Sequence, residues 1–417
     1  MSEIGSPTGV LVTGIEASDA ILPDTPRRWS FSSLKEIEAC PMRYMLSRAA
    51  YPGLGVENGY PRLPSVPALI GDIVHGALEA IVKALVEAGC HSLEAPAAFD
   101  VLKNLGGITT VVDGTIKEKL ELLADNPRLN AEQRRRLARD LDDGVAGARV
   151  RVQEYLSRAQ FGPQLAGVPA PARSSAAQEY RTTGRQRARL GANTETTVVS
   201  EDLRLMGAID LLVVHTDHAA ILDYKTGAED PSHADQLRMY ALLWDLDREV
   251  NPSGLPATEL KAAYANHDVM ITAPTSSELR EFEKSIRERI AAADALFDTD
   301  VPLAKPSIEQ CERCQVRQLC SDYWTSPAVM DPADVEVGEW FDYEGLVGPP
   351  NGIRSLWMMD DAGRRDLLLR TTPTFESLEQ GAMVRILGLR RDEDPEASTP
   401  IATMTARSEV FVLADDH

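Results

Sequence analysis

The sequence predicts a mixed α/β fold, with helices flanking a sheet, followed by a small all-β domain. Amphipathic helical patterns alternate with apolar, strand-like runs up to about residue 325. Beyond residue 334, short apolar runs are separated by Gly, Pro and Asp, which is typical of a small barrel or sandwich. We therefore expect a flexible segment at 1–27, an α/β domain at 28–325 with a helical insertion at about 92–160, and a β domain at 334–417.

The composition limits the class of protein. The 417 residues suit two or three domains, and 43% hydrophobic with 26% charged residues is typical of soluble proteins. No run of 18 or more apolar residues occurs, so no membrane span is predicted. The first residues lack the basic and apolar regions of a signal peptide, and we expect a cytoplasmic location. The net charge of −21 argues against a broadly basic surface, so any contact with nucleic acid must be local.

Two helices are predicted near the start of the α/β domain. The first follows Trp29, with Ser32 or Ser33 as its N-cap and Glu36 in its first turn. The second covers about residues 71–88, includes the sequence GDIVHGALEA, and carries His75. A neutral imidazole can complete a metal site, although a single helical histidine is more often a surface or core residue.

The strongest chemical signal lies in two later segments, MGAIDLLVV and ILDYKTG. They place Asp210 on one strand, and Asp223 and Lys225 on the next. Side chains two residues apart on a strand point to the same face, so Asp223 and Lys225 project together, and a hairpin can bring Asp210 beside them. Phosphodiester hydrolysis needs carboxylates that hold a divalent cation and a positive charge beside the phosphate. These three residues meet that need, although Asp-x-Lys alone also fits an exposed salt bridge.

Three further residues extend this candidate site. Glu179, just upstream of the strands, is either a second ligand or an exposed residue at a strand end. Gln236 and Tyr240 are four positions apart, so they share one face of the helix that follows Lys225. Either of them alone would also fit ordinary polar contacts of a helix.

Basic residues cluster in two places. The first cluster fits a solvated helix face better than DNA contact, and the second, beside the candidate site, fits DNA contact or solvent exposure equally well. The first consists of Arg134, Arg135, Arg136 and Arg139, and the second of Arg181, Arg185, Arg187 and Arg189.

The cysteines predict a metal site with four thiolate ligands. Cys311, Cys314 and Cys320 form a C-x-x-C-x5-C pattern, and Cys40 lies far upstream in the sequence ACP. In a reducing cytoplasm these thiols are not expected to form disulfides. The spacing fits either zinc or an iron–sulfur cluster, and in both cases the site would tie the first helix to the last segment of the domain. Cys90 lies outside the pattern and is expected to be a core or surface thiol.

Together these features resemble the RecB/AddB-like, iron–sulfur branch of the PD-(D/E)XK nucleases. The resemblance covers roughly residues 29–325, from FSSLKEIEACPMRY through GDIVHGALE, QEY, GAIDLLV, LDYKTG and QLRMY to the cysteine pattern. It implies a restriction-endonuclease-like core, with a catalytic lysine, an accessory acid and a supporting Gln/Tyr pair. The implied metal ligands are His75, Asp210, Asp223 and the backbone carbonyl of Tyr224. The other implied roles fall on Lys225 (catalytic), Glu179 (accessory), Gln236 and Tyr240 (supporting), and on Cys40, Cys311, Cys314 and Cys320 (4Fe–4S ligands).

The resemblance implies a Mg²⁺- or Mn²⁺-dependent DNase acting on single strands or duplex ends, in repair, recombination or defence against phage. The alternative is a non-catalytic DNA-binding or assembly subunit. The sequence has no G-x-x-x-x-G-K-[ST] motor motif, so a separate helicase or defence protein is an expected partner. For the C-terminal domain we expect an OB-like barrel. Its acidic balance favours docking on the core or on a protein partner over binding of single strands.

Overall fold

The computed structural model describes residues 11–13, 20–54, 56, 59–162, 185–299, 301–360, 363–371, 378–394, 397–405 and 407–413. The helices are α1 (Phe31–Ala39), α2 (Pro41–Leu46), α3 (Val66–Glu87), α4 (Ala98–Asn104), α5 (Ile108–Leu122), α6 (Ala131–Arg158), α7 (Ser232–Leu246), α8 (Ser276–Ala295), α9 (Ile308–Cys311) and α10 (Ser321–Trp324). The strands are β1 (Leu11–Thr13), β2 (Gly191–Ser200), β3 (Leu205–Val214), β4 (Ala219–Lys225), β5 (Ala257–Tyr264), β6 (Asp268–Ile271), β7 (Trp340–Pro350), β8 (Ser355–Met359), β9 (Arg365–Arg370), β10 (Met383–Asp392), β11 (Ile401–Thr403) and β12 (Glu409–Val412).

A mixed five-stranded sheet in the order β2-β3-β4-β5-β6 forms the centre of the α/β part. β4 and β5 are parallel and are joined through α7, because parallel strands need a crossover connection; the other neighbouring pairs are antiparallel. β3 buries side chains on both faces, since helices cover the sheet from both sides. The predicted mixed α/β fold is confirmed.

Two apolar cores lie against the two faces of this sheet. On one face, α1, α7 and α8 bury residues such as Trp29, Leu34 and Trp244. On the other face, α3 packs with α5 and α6, and Leu141 and Tyr155 of α6 belong to the same core as Tyr224 of β4. The stretch predicted as a helical insertion thus forms α4, α5 and α6 and covers one face of the sheet.

Two predicted helix starts are wrong. Ser30, not Ser32 or Ser33, caps α1: its hydroxyl accepts from the Ser33 amide at 3.2 Å, and the Ser33 hydroxyl accepts from the Ser30 amide at 2.8 Å. This reciprocal capping box places Ser33 inside the first turn. The second helix begins at Val66 instead of residue 71, because Ser65 caps it and Pro67 is tolerated in a first turn.

A closed five-stranded barrel follows the α/β part. Its strands run in the order β7-β8-β9-β11-β10, and β10 pairs again with β7 to close it. β9 and β11 are parallel, and β12 pairs with the other side of β10. The all-β C-terminal part is therefore present as a barrel.

The segment predicted to be flexible contributes a strand to the sheet of this barrel. Residues 11–13 form β1, which pairs in parallel with β12. Sequence reasoning missed this strand, since three residues carry too short a pattern. Among the described residues, no helix combines the length and apolar character needed to cross a membrane.

Candidate active site and cysteine site

The predicted aspartates meet where β3 and β4 separate. The antiparallel pairing ends at Leu211 and Leu222, so Asp210 and Asp223 follow directly at the point of divergence. Asp210 Oδ2 accepts a hydrogen bond from the Tyr224 amide at 2.7 Å and lies 3.2 Å from His75 Nε2. Asp223 is only 3% exposed. The hairpin thus brings Asp210 and Asp223 together, and α3 adds His75.

Lys225 extends from the same face into a chain of polar contacts. Its ammonium forms an ion pair with Asp223 and donates to Gln236 Oε1 at 2.6 Å. Gln236 Nε2 in turn donates to the Tyr240 hydroxyl at 2.8 Å. The i, i+4 pair on α7 therefore positions the end of the Lys225 side chain.

Two glycines allow these elements to approach. A Cβ atom on Gly207 would lie 2.7 Å from Tyr240 Cε1, so Gly207 lets the tyrosine ring rest on β3. A Cβ atom on Gly71 would lie 2.8 Å from Thr226 Oγ1, so Gly71 lets α3 approach the loop after β4. Contacts under 3.0 Å require a neighbour to move, which explains a glycine in GAID and in GDIVH.

Tyr224 presents its main chain to this site, and its ring lies on the face of the sheet that α3 and α6 cover, edge-on to the His75 ring at a centroid distance of 6.4 Å. Its ring packs edge-on against Tyr155 at a centroid distance of 5.6 Å. The Tyr155 hydroxyl donates to the Lys225 carbonyl at 2.6 Å, which ties α6 to the end of β4. Glu179, the predicted accessory acid, lies outside the described residues.

Sequence reasoning missed two acids of this cluster, Glu195 and Glu79. Donor atoms of His75, Glu79 and Glu195 all lie within 4.8 Å of one another. Glu195 sits on β2 between the pairs Thr194–Leu211 and Thr196–Ile209, opposite Asp210, with a φ of 47°. This left-handed conformation is rare for a non-glycine residue and changes the direction of its side chain. The available signals were the i, i+4 spacing of His75 and Glu79 and a glutamate within the strand pattern TETTVV.

The charges of this cluster are not balanced. Burial, and then the neighbouring Asp210, raises the pKa of Asp223 to about 6 despite the opposing effect of Lys225. Burial, Asp210 and Glu79 raise the pKa of Glu195 to about 7. The hydrogen bond to Asp210 raises the pKa of His75 to about 9. Burial and the nearby negative charges both raise the pKa values of these carboxyl groups, and a bound cation would relieve the repulsion between them.

The four predicted cysteines line one cavity. Cys40 joins α1 to α2, Cys311 ends α9, and Cys314 and Cys320 follow in the next turns. With Arg43, Lys305 and Arg317 among its other lining residues, they surround a cavity of about 290 Å³. Burial raises the pKa of the Cys314 thiol and of the Cys320 thiol to about 11. Cys90 lies apart in the core beneath α3, as expected for a core thiol.

The sulfur atoms of the cavity are not all as close together as the ligands of a single zinc ion. Among the described ligand-type side chains, only His75, Glu79 and Glu195 form a set of three with all donor atoms within 4.8 Å. No three sulfur atoms of the cavity are that close. Four thiolates around one zinc ion, at about 2.3 Å each, would be about 3.8 Å apart.

The barrel docks directly on the cysteine loop. Arg317, between Cys314 and Cys320, pairs with Asp342 at 2.5 Å, and Asp342 also accepts from the Tyr323 hydroxyl at 2.8 Å. Arg128, in the loop before α6, forms two hydrogen bonds of 2.9 and 2.8 Å with Glu409 of β12. It also donates to the carbonyls of Pro61 and Gln315, each at 2.9 Å. We call these contacts the barrel junction.

Comparison with known proteins gives one family match. A family model of the PD-(D/E)XK nuclease superfamily matches residues 28–321. No curated protein matches the chain.

Three solved structures are similar over part of their length. The crystal structure of SSO0001 is 16% identical, with 31% of this chain and 60% of that chain covered and a TM-score of 0.20. The p204 HINb domain is 10% identical, with 53% and 91% covered and a TM-score of 0.17. A murine DNA-binding protein bound to double-stranded DNA is 10% identical, with 54% and 95% covered and a TM-score of 0.16. At such TM-scores, none of these similarities bears on the fold of the chain.

Proposed function

Because the chain belongs to the PD-(D/E)XK nuclease superfamily, we propose that it is a Mg²⁺- or Mn²⁺-dependent deoxyribonuclease acting on single-stranded DNA or duplex ends. The observation that carries this proposal is the convergence of His75, Asp210, Asp223 and Lys225, which come from three different elements. Repair, recombination or defence against foreign DNA would use such an activity. A separate helicase or defence protein would supply any strand separation.

The donor set of the cluster fits a hard divalent cation. His75, Asp210 and Asp223 would hold it, with the Tyr224 carbonyl as a further oxygen donor. The donor atoms of these three side chains do not all lie within 4.8 Å of one another, as those of His75, Glu79 and Glu195 do, so a bound cation would have to draw them closer. Carboxylate oxygens and an imidazole are suitable ligands, and the raised pKa of buried Asp223 reflects a negative charge without enough compensation. A bound Mg²⁺ or Mn²⁺ would polarise the phosphate and lower the pKa of a water molecule. Glu195 and Glu79 stand close enough to His75 to act as accessory acids, a role that we also keep for Glu179.

Lys225 would act on the reacting phosphate. Its ammonium matches the negative charge that develops as water attacks phosphorus, and Gln236, supported by Tyr240, holds it in place. Hydrolysis would break the bond between phosphorus and the 3′ oxygen, leaving a 3′ hydroxyl and a 5′ phosphate.

The test is cleavage by variants of the two charged residues on β4. Asp223→Ala and Lys225→Ala should each lower cleavage of end-labelled single-stranded DNA by about 100-fold or more, because each removes a charge that acts on the transition state. Circular dichroism should show that both variants remain folded. Asp217→Ala, in the exposed turn of the same hairpin, is the matched control and should cleave normally.

Persistent cleavage in both variants would exclude the assignment. A folded wild-type protein that binds DNA but cleaves neither strand type with Mg²⁺ or Mn²⁺ would instead favour the non-catalytic alternative.

For the cysteine cavity we propose a structural 4Fe–4S cluster. The wide spacing of the sulfur atoms and the cavity between them support a cluster of several atoms over one zinc ion. Arg43 and Lys305 would offset part of the negative charge of its thiolates. Protein purified anaerobically should be brown and absorb broadly in the visible range.

Cysteine variants separate this cluster from the alternatives. Cys314→Ser should lose the colour and the iron, whereas Cys90→Ser should keep both because Cys90 lies in a separate core. A colourless wild-type protein with stoichiometric zinc would refute the cluster.

For the barrel we propose an OB-like fold whose main role is docking. Counted from β7, its strands follow the order 1-2-3-5-4-1 with the third and fifth parallel, which agrees with a five-stranded Greek-key barrel. The buried contacts at the barrel junction support a fixed attachment to the α/β part.

A further inference from the structure

We propose that the groove between α3 and β2 binds the phosphate backbone of a single DNA strand and leads it to the candidate active site. Lys83, Arg187 and Arg189 would contact the phosphates. The inference rests on the proposed function, since it names the path by which the substrate reaches that site.

The groove includes two members of the acid–histidine cluster. Its empty space is about 1160 Å³, with α3 on one side and residues 185–197 on the other. Glu79 and Glu195 line it, and both have donor atoms within 4.8 Å of those of His75. A strand lying in the groove therefore passes beside the proposed metal ligands.

Three exposed cationic side chains line this groove without an ion-pair partner among the described residues. Arg185 also lines it, but its guanidinium pairs with Asp247 and Glu249 and thereby fixes the segment to the end of α7. Within the part of the chain that the structure describes, Lys83, Arg187 and Arg189 form no ion pair. Because the net charge of −21 repels DNA at long range, such local cations are needed to hold a phosphate chain.

The other basic cluster provides the contrast. It lies on the insertion helix α6 and does not line the groove. Arg134 donates to the Ala124 carbonyl at 2.5 Å, and Arg136 lies 3.9 Å from Asp140 one turn later on α6. Arg135 and Arg139 are exposed cations of similar number and chemistry, so they serve as a matched control.

The lining also indicates how the strand would be held. No aromatic side chain lines the groove among the described residues, and threonines, asparagine and glutamine stand between the cations. Base stacking, which other single-strand-binding grooves use, therefore has no aromatic partner among the described lining residues. Contacts through phosphates alone predict binding that is independent of sequence and strongly dependent on salt.

The experiment measures binding of a fluorescein-labelled oligothymidine at several salt concentrations, by anisotropy, in the Asp223→Ala background that prevents cleavage. Losing two phosphate contacts should make the negative slope of log K, the association constant, against log salt less steep by about 1.4. If binding at 1 M salt is unchanged, this corresponds to about 25-fold weaker binding at 0.1 M salt. We expect this for Arg187→Ala/Arg189→Ala and no change for Arg135→Ala/Arg139→Ala.

A variant that binds DNA more tightly is also needed, because misfolding can explain a loss of binding but not a gain. Glu87 lines the same groove and is exposed, so Glu87→Gln should strengthen binding several-fold by removing a repulsive charge. Unchanged binding in the groove variants, an equal loss in both double variants, or tighter binding of a duplex of the same length would overturn the proposal. If wild-type protein binds DNA through the groove but never cleaves it, the proposed function fails while the groove stands. If it cleaves and the groove variants cleave equally well, only the groove fails.

Discussion

The candidate active site and the barrel junction both bury charged side chains, but in opposite ways. At the junction, Arg128 is 3% and Glu409 5% exposed, and each charge meets its opposite with two hydrogen bonds. At the candidate active site, two aspartates and two glutamates share the surroundings of one lysine and one histidine. The buried charges of the junction therefore neutralise each other, whereas those of the candidate active site leave an excess of negative charge.

The difference shows what each place is built for. Buried ions cost several kcal/mol each unless they are paired and hydrogen-bonded, so a balanced pair serves attachment. In an unbalanced group of acids, mutual repulsion raises the pKa values and lowers the stability of the folded state. Such a group is typical of a site where a bound ligand neutralises the excess charge. Charge balance therefore distinguishes the barrel junction from the candidate active site, although both contain buried charged side chains.

The largest expected effect is at the junction. Arg128→Ala leaves Glu409 buried without a partner and should destabilise the protein by about 3–5 kcal/mol in urea unfolding. Replacing both residues, as Arg128→Met/Glu409→Leu, should recover most of that loss because no unpaired charge remains. Equal destabilisation by the single and the double variant would break the comparison, since packing alone would then explain the junction.

A smaller effect is expected where the site depends on close approach. Gly207→Ala places a methyl group against the Tyr240 ring and should cost about 1–3 kcal/mol, as overpacking does. It should also weaken cleavage, because Tyr240 and Gln236 position Lys225. Gly114→Ala on α5, where a Cβ atom meets nothing within 4 Å, is the control: it should leave cleavage unchanged and stabilise the protein by about 0.5–1 kcal/mol, as alanine does in a helix interior.

The smallest expected effect is the dependence of the protein's stability on pH, which follows from the excess of acidic groups at the candidate active site. A glutamate whose pKa is raised from 4.5 to about 7 favours the folded state below pH 4.5, and this contribution is lost as the pH rises through 7. His75, with its pKa raised to about 9, loses its contribution as the pH rises from 6.5 through 9. The metal-free protein should therefore become less stable towards alkaline pH.

Metal binding should show the reverse dependence. At pH 6 most Glu195 side chains and nearly all His75 side chains hold a proton that competes with the cation, so the affinity for Mn²⁺ should be at least about tenfold lower than at pH 8. Calorimetric titration measures this, and Glu195→Gln should reduce the pH dependence. An affinity independent of pH would show that the acids of the cluster do not compete with protons for the cation.

The sequence predicted the parts of the site that follow from local periodicity. Asp223 and Lys225 share a face because strands alternate, and Gln236 and Tyr240 share one because helices repeat every 3.6 residues. Asp210 joined them because a short hairpin fixes its own register. These relations span few residues and need no knowledge of the remaining fold.

Other features were beyond sequence reasoning because they depend on one irregular residue or on distant packing. Glu195 reaches the cluster through a left-handed φ of 47°, which regular alternation does not predict. The pairing of β1 with β12, and of Arg128 with Glu409, joins segments whose local patterns carry no information about each other. The sequence of the C-terminal domain indicated strands, but it did not indicate which surface of the barrel would contact Arg317.

The position of Arg128 has a consequence for the order in which the chain folds. Its partners lie 67, 187 and 281 positions away along the chain, and the most distant is on β12. During synthesis, N-terminal parts emerge and fold first. The guanidinium group of Arg128 therefore has no carboxylate partner until the segment that carries Glu409, 281 positions later, has been synthesised.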